Sequence, residues 1–219
     1  LCMAVGQAGH ADNWVSLFDG KTLKGWEKRG GTAEFVVVDG VILGTGPKRS
    51  PNTFLCTKKS YSNFVLELEF KVDKELNSGV QIRGAVYGKD TEVKKKGSKK
   101  KKRHQAGRVR GYQVEIDPDT TRNRMWTGGI YDEARRGWLA DLSNNKPARD
   151  AFKPEQWNHF RIQAKGDEIK TWINGEFAVM LRDSMDASGF IGLQVHGQSK
   201  DKGRAGKQAR WRNIRIKEL

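Results

Sequence analysis

Three stretches of this 219-residue chain set an unusual polar row against an apolar one. In SGVQIRG, Gln81 and Arg83 alternate with Val80 and Ile82. In GYQVEID, Gln113, Glu115 and Asp117 alternate with Tyr112, Val114 and Ile116; in IGLQVHG, Gln194 and His196 alternate with Leu193 and Val195. Side chains two apart on a strand share a face. If these strands neighbour one another in one sheet, Arg83, Glu115, Asp117, Gln194 and His196 converge on one patch. Amides, carboxylates, a guanidinium and an imidazole together offer the donors and acceptors that sugar hydroxyls need. A plain solvated sheet face is the alternative, but such a face favours Lys, Glu and Thr over Gln, Arg and His.

Aromatic residues add to the patch. Trp126 and Trp138 flank a loop-like stretch that also supplies Tyr131, Asp132, Glu133 and Arg135, and exposed indoles stack on sugar rings. Trp14, Trp157, Trp172 and Trp211 sit in strand-like patterns and read as core. Glu115, Asp117 and His196 are ligand types for a divalent cation, yet carboxylates on a sugar-binding face need no metal, so no cofactor is expected and a metal is left open. The run Glu115-Ile116-Asp117 invites comparison with the Glu-x-Asp-x-x-Glu signature of laminarinase-type glucanases. The match fails at its third position, because residue 120 is Thr120 and the bulge-free alternative is Asp119, shorter than glutamate.

The elements that must carry these residues are strands. EFVVVDGVILG at 34–44 reads as strand, Asp-Gly turn, strand, and KTWINGEFAVML at 170–181 repeats the device with Asn174-Gly175, since both pairs tolerate the positive φ of a tight hairpin. NFVLELEFKVD at 63–73 alternates cleanly. Further strands are expected near 79–83, 111–117, 128–131, 157–165, 188–196 and 210–217. Twenty-five glycines against five prolines suit many tight turns. The fold class is therefore all-β, two antiparallel sheets packed as a sandwich, in one domain from residue 13 to 219.

The formal charge of +15 is concentrated: from Glu92 to Arg110, seven lysines and three arginines stand against one glutamate, a local +9. The segment at about 87–110 has almost no apolar side chain and reads as a solvated loop insertion. Clustered lysines could bind an anionic polymer by counterion release. Nucleic acid is not expected, because no aromatic among the lysines offers a stacking surface. Two cysteines, Cys2 and Cys56, exclude a disulfide framework. Residues 1–12 read as the tail of an export signal or a disordered terminus, with Cys2 as a possible lipid site, which implies a periplasmic or extracellular protein. No run approaches the length of a membrane span.

WVSLFDGKTLKGW at 14–26, NSGVQIRG at 77–84, GYQVEID, TGGIYD at 127–132, WNHFRIQAKGDEIKTWING at 157–175, IGLQVHG and RWRNIRIKEL at 210–219 occur together and in order. This set resembles the 3-keto-disaccharide hydrolase family over nearly the whole chain from Trp14. The resemblance implies a concanavalin A-like jelly roll and cleavage of sugars oxidised to a ketone at C3. A C3 ketone acidifies the C2 hydrogen, so a base removes it, the C1 glycosidic oxygen departs, and water adds afterwards. That route needs a general base and a group to hold the enolate oxygen. Our assignment gives Glu115 or His196 as base, Arg83 as enolate stabiliser, and Gln81, Gln113, Asp117, Tyr131, Gln194, Trp126 and Trp138 as substrate-binding residues. A lectin-like binding module is the alternative from another class. The lysine-rich segment departs from the family pattern.

Overall fold

The two dipeptide turns form as their chemistry requires. Asp39 and Gly40 have φ of 49° and 76°, and Asn174 and Gly175 of 50° and 89°, the doubly positive φ that suits a two-residue hairpin. They close β3 (Glu34–Val38) on β4 (Val41–Thr45) and β14 (Glu168–Ile173) on β15 (Glu176–Arg182). The computed structural model describes residues 13–74, 76–94, 100–118, 124–198 and 203–219. Residues 1–12, read above as an export-signal tail, lie outside them, as do residues 119 and 120 of the glucanase comparison.

The chain forms two large antiparallel sheets packed face to face. The first runs β15-β14-β13-β6-β17-β4-β3, with the short β1 (Val15–Ser16) also pairing with β17. Its inner members are β13 (Asn158–Lys165), β6 (Phe64–Val72) and β17 (Gln208–Glu218). The second runs β12-β11-β10-β7-β16-β5-β2. Its strands are β2 (Trp26–Gly30), β5 (Thr53–Thr57), β7 (Ser78–Val86), β10 (Val109–Ile116), β11 (Ile130–Glu133), β12 (Gly137–Ala140) and β16 (Phe190–Val195). A short helix, α1 (Lys146–Ala151), is capped by the Asn145 side chain, which accepts a hydrogen bond from the Ala148 amide.

Phe64, Leu66, Leu68, Phe70 and Val72 of β6 face Val80, Ile82, Tyr112, Val114, Ile116, Leu193 and Val195 of the second sheet in one buried core. The three strands that carry the candidate patch are therefore adjacent, in the order β10-β7-β16. Their apolar rows turn inward and leave the polar rows on the outer face.

Three tryptophans read as core lie elsewhere. Trp211 is fully buried, but Trp14, Trp157 and Trp172 are partly exposed beneath Arg215, Arg212 and Arg161, whose guanidinium carbons sit 4.6, 4.0 and 5.9 Å from the ring centroids. Glu67 and Glu69 hold these arginines on the outer face of the first sheet. Trp14 and Trp157 fall one residue before β1 and β13, and for Trp172, within β14, periodicity did not distinguish the inward face from one covered by a cation–π contact.

The lysine-rich insertion also differs from expectation. Its described part is an antiparallel ribbon, β8 (Thr91–Lys94) on β9 (Lys101–His104), rather than an irregular loop. Tyr87 and His104 anchor it, stacked with ring centroids 5.6 Å apart and 3° between planes. The Tyr87 hydroxyl donates to the Ala134 carbonyl at 3.1 Å. These two buried aromatics supply the apolar contact that the lysines lack.

Candidate functional site

The register of the second sheet lays out its outer face row by row. Glu115, Gly79, Gln194, Phe54 and Arg29 are cross-strand neighbours in one row. Tyr131, Gln113, Gln81, Gly192, Cys56 and Glu27 form the next row on that face. Ile116, Ser78 and Val195 share a core-facing row, so Asp117, Asn77 and His196 leave the same ends of β10, β7 and β16 side by side.

A hydrogen-bonded set holds Glu115. Asn77 Nδ2 donates to its Oε1 at 2.7 Å, and Gln113 Nε2 donates to its Oε2 at 2.6 Å and to Gln194 Oε1 at 3.3 Å. Gly79 makes this possible: a Cβ there would lie 2.6 Å from the Gln113 side chain, so the amide occupies the place of the missing side chain. Glu115 is 7% exposed. Burial pushes its carboxyl up to about 8; the amide hydrogen bonds from Asn77 and Gln113 oppose the rise, and the nearby charges of Asp117 and Glu133 add to it. A carboxyl poised there can exchange a proton near neutral pH.

Beneath the surface, Gln81 Nε2 and Oε1, Gln113 Oε1, Gln194 Nε2 and Asn77 Oδ1 are buried and meet no hydrogen-bond partner. Buried polar atoms are normally paired, so this concentration around one carboxyl marks a floor built for something besides stability. The apolar cluster of Phe54, Cys56, Val109 and Phe190 adjoins it. Burial pushes the Cys56 thiol up to about 12, which makes it a packing residue rather than a nucleophile.

A cavity of about 480 Å³ opens on this face, lined by Asn52, Val93, Lys100, Lys101, Lys102, His104, Arg108, Tyr131, Glu133, Ala134, Arg135 and His196. Its size falls in the range of small-molecule sites, roughly 300–1,000 Å³. Glu133 spans it, accepting from Asn52 Nδ2 at 3.1 Å and pairing with Arg108. At the other side, Arg124 donates two hydrogen bonds to Asp117 Oδ2, at 3.1 and 2.8 Å. The Arg124 guanidinium stacks over Trp126 and Trp138, which meet edge to face at 4.9 Å, while Tyr131 meets Trp138 at 5.4 Å.

Gln81, Gln113, Glu115, Asp117, Gln194, His196, Tyr131, Trp126 and Trp138 thus share this face and its aromatic edge. Arg83 does not. Ile82 and Arg83 together oppose the single residue Ile191, a bulge at which Arg83 takes φ of 46°. Such a bulge re-aims a side chain. Arg83 is 1% exposed and donates to the Ser62, Gly166 and Asp186 carbonyls and to Asn63 Oδ1, at 2.8, 2.8, 3.3 and 3.4 Å. It ties the second sheet to the first and is removed from the candidate chemistry.

Sequence reasoning missed Asn77, Asn52, Arg108 and Arg124, which lie outside the alternating strand cores. Asn77 was within reach, being one residue before the Ser78–Val86 strand on the side-chain row of Gly79. Asp132 and Arg135, noted as candidates, belong to a buried ion network with Arg136, Asp183 and Asp186. Among the described residues no group of three or more His, Cys, Asp and Glu side chains is arranged to hold a metal ion, and Asp117 is engaged by Arg124.

The family model of the 3-keto-alpha-glucoside-1,2-lyase-like domain matches residues 13–217. The chain belongs to that family. Over 78 residues, 32% of the chain, it is 33% identical to the 3-keto-disaccharide hydrolase of Bacteroides thetaiotaomicron, a stretch covering 27% of that relative. In fold, the chain is similar to a candidate glycosyl hydrolase from Parabacteroides distasonis, with TM-score 0.59 and 19% identity over 95% of this chain and 94% of that one. It is also similar to the carbohydrate-binding module CBM66 of Bacillus subtilis, with TM-score 0.56 and 14% identity over 89% and 96%. The carbohydrate recognition domain of Emp47p gives 0.52 at 12% identity over 95% and 96%. These likenesses bear out the lectin-like sandwich.

Proposed function

We propose that the protein cleaves glycosides whose sugar carries a ketone at C3. Glu115 removes the C2 proton, the electron pair passes to the C3 oxygen as an enolate, and its return expels the C1 oxygen to leave a C1–C2 double bond. Water then adds across that bond. The observation that carries this reading is the Glu115 carboxyl, pushed up to about 8 in a floor of amides on the face of a family member. A base with a matched proton affinity is what removal of a hydrogen alpha to a ketone requires, whereas a conventional glycosidase needs two opposed carboxyl groups.

In this reading Gln81, Gln113 and Gln194 orient the sugar, and Tyr131, Trp126 and Trp138 border it. His196, in the cavity wall, protonates the departing oxygen. Arg124, fixed by Asp117 at the same end of the face, takes the enolate-stabilising role first assigned to Arg83. The similarity to carbohydrate-binding modules favours one rival, a domain that binds sugar without cleaving it.

Incubation with a 3-keto-glucoside and with its unoxidised parent, following release of the aglycone, separates the readings. Cleavage of the ketone form alone supports the lyase. Equal cleavage of both returns a conventional glycosidase, and binding without cleavage of either returns the module.

A further inference from the structure

Two amide donors meet Glu115, one on each carboxyl oxygen: Asn77 Nδ2 on Oε1 at 2.7 Å and Gln113 Nε2 on Oε2 at 2.6 Å. That pattern serves the ionised carboxylate, which only accepts. A protonated carboxyl has a hydrogen to donate, and within this set it finds an acceptor only if one of the two amides turns end over end. The oxygens for that are in place, since Asn77 Oδ1 and Gln113 Oε1 are buried and meet no partner.

The two amides are not equally free to turn. Gln113 Nε2 also donates to Gln194 Oε1 at 3.3 Å, so turning it alone sets two amide oxygens against each other until Gln194 turns as well. Its side chain is packed over Gly79, where a Cβ would lie 2.6 Å away. Among the described residues the Asn77 side chain hydrogen-bonds to Glu115 alone. The main chain beside it is fixed by Ser78, whose hydroxyl donates to the Gln194 carbonyl at 2.6 Å. One side-chain rotation therefore lets Asn77 serve either form of the carboxyl.

The charged neighbours are engaged elsewhere. Asp117 is held by Arg124 and Glu133 by Arg108, and Arg29, further along the same row, pairs with Glu27. From β7, Arg83 is turned away to the Ser62 and Gly166 carbonyls, and His196 leaves the adjoining end of β16.

We propose that Asn77 is a positioning residue that follows the proton: its amide donates to Glu115 Oε1 while the carboxyl is the base, and turns to accept from Oε1 once the carboxyl holds the C2 hydrogen, with Oε2 kept in place by Gln113 and Gln194. The inference rests on the keto-glycoside reading for the source of that proton. Asn77 makes and breaks no bond to carbon; it keeps Glu115 in one position through both protonation states.

The test is the side-chain amide NMR spectrum of the isotope-labelled full chain, followed without substrate as pH is lowered through the titration of Glu115 at about 8. The Asn77 δ-amide protons are expected to leave the position of a carboxylate-bound donor and to move further than the Gln113 ε-amide protons, and in Glu115→Gln the Asn77 signal is expected to stay in place. A Gln113 signal that moves at least as far, two signals that both stay still, or an Asn77 shift that persists in Glu115→Gln overturns the inference.

Kinetics on a 3-keto-glucoside ask whether the turn serves the reaction. Asn77→Ala is expected to lower kcat about tenfold, the scale of one hydrogen bond to a charged group, with KM little changed. Asn77→Ser, whose hydroxyl donates or accepts, is expected to recover part of that loss. Asn77→Asp keeps the shape but cannot donate to the ionised carboxylate, and it is expected to move the rise of kcat/KM to higher pH. A residue that only fills space gives another order, with Asn77→Asp nearest the wild type and an unshifted pH profile, and that result also overturns the inference. Because the amide titration needs no substrate, the two claims separate: absence of cleavage removes the keto-glycoside reading, whereas cleavage with a static Asn77 amide removes this inference alone.

Discussion

Glu115 and Gln194 flank Gly79 in one cross-strand row and share a single amide donor, Gln113 Nε2, at 2.6 and 3.3 Å. The arrangement depends on the absence of a side chain at Gly79. A Gly79→Ala substitution places a methyl group 2.6 Å from the Gln113 side chain, which displaces the amide from both partners. The expected outcome is a fall in kcat of at least tenfold in a protein that still folds, checked by steady-state kinetics with a circular-dichroism melt as control.

Glu115→Gln removes basicity with little change in shape. Either neighbouring amide can turn to meet the new NH2 group, since Asn77 Oδ1 and Gln113 Oε1 have no partner. General-base catalysis contributes typically about 10²–10⁴-fold, and a loss of that order with substrate binding retained is expected. In the wild type, kcat/KM should rise with pH and level off above about 8, because the ionised carboxylate is the active form. A minor loss in the variant moves the base to His196.

The same carboxyl ties stability to pH. Its proton affinity is raised on folding, so between the ordinary carboxylate value, about 4.3, and about 8 the folded protein holds a proton that the unfolded chain has released. Stability therefore falls as pH rises through that window and levels off above it, by an amount on the order of 5 kcal/mol at most. Glu115→Gln should lack this loss, so its melting temperature should exceed that of the wild type at pH 9 and approach it at pH 4. Parallel melting curves across the range check the sign.

Arg83 should behave as a structural residue. Arg83→Met leaves the Ser62, Gly166 and Asp186 carbonyls without their donor, and each buried group left unpaired costs about 1–3 kcal/mol. The expected result is a melting temperature lowered by many degrees, with kcat per folded molecule nearly unchanged at low temperature. A large loss of kcat at unchanged stability would return Arg83 to the chemistry.

The sandwich, both hairpins and the three polar rows were legible in the sequence because each rests on a local rule: two-residue alternation, or a dipeptide that accepts positive φ. The adjacency of β10, β7 and β16 followed once those rows were assumed to meet. Arg83 was misplaced because parity breaks at a bulge, and nothing between Gly79 and Gly84 announces one. The ribbon was missed because its order comes from Tyr87 and His104, residues 17 apart whose contact is tertiary. Asn52, Arg108 and Arg124 reach the face from loops, where spacing carries no directional information.

Removal of the C2 hydrogen is the step on which the account turns, and a 3-keto-glucoside deuterated at C2 tests it most directly. Aglycone release by the wild type should be slower from the deuterated than from the protonated substrate where proton removal limits turnover. Solvent hydrogen should appear at C2 in the released sugar, because water adds across the C1–C2 double bond. Retention of the C2 deuterium in the released sugar, at an undiminished rate, would contradict elimination and with it the role given to Glu115.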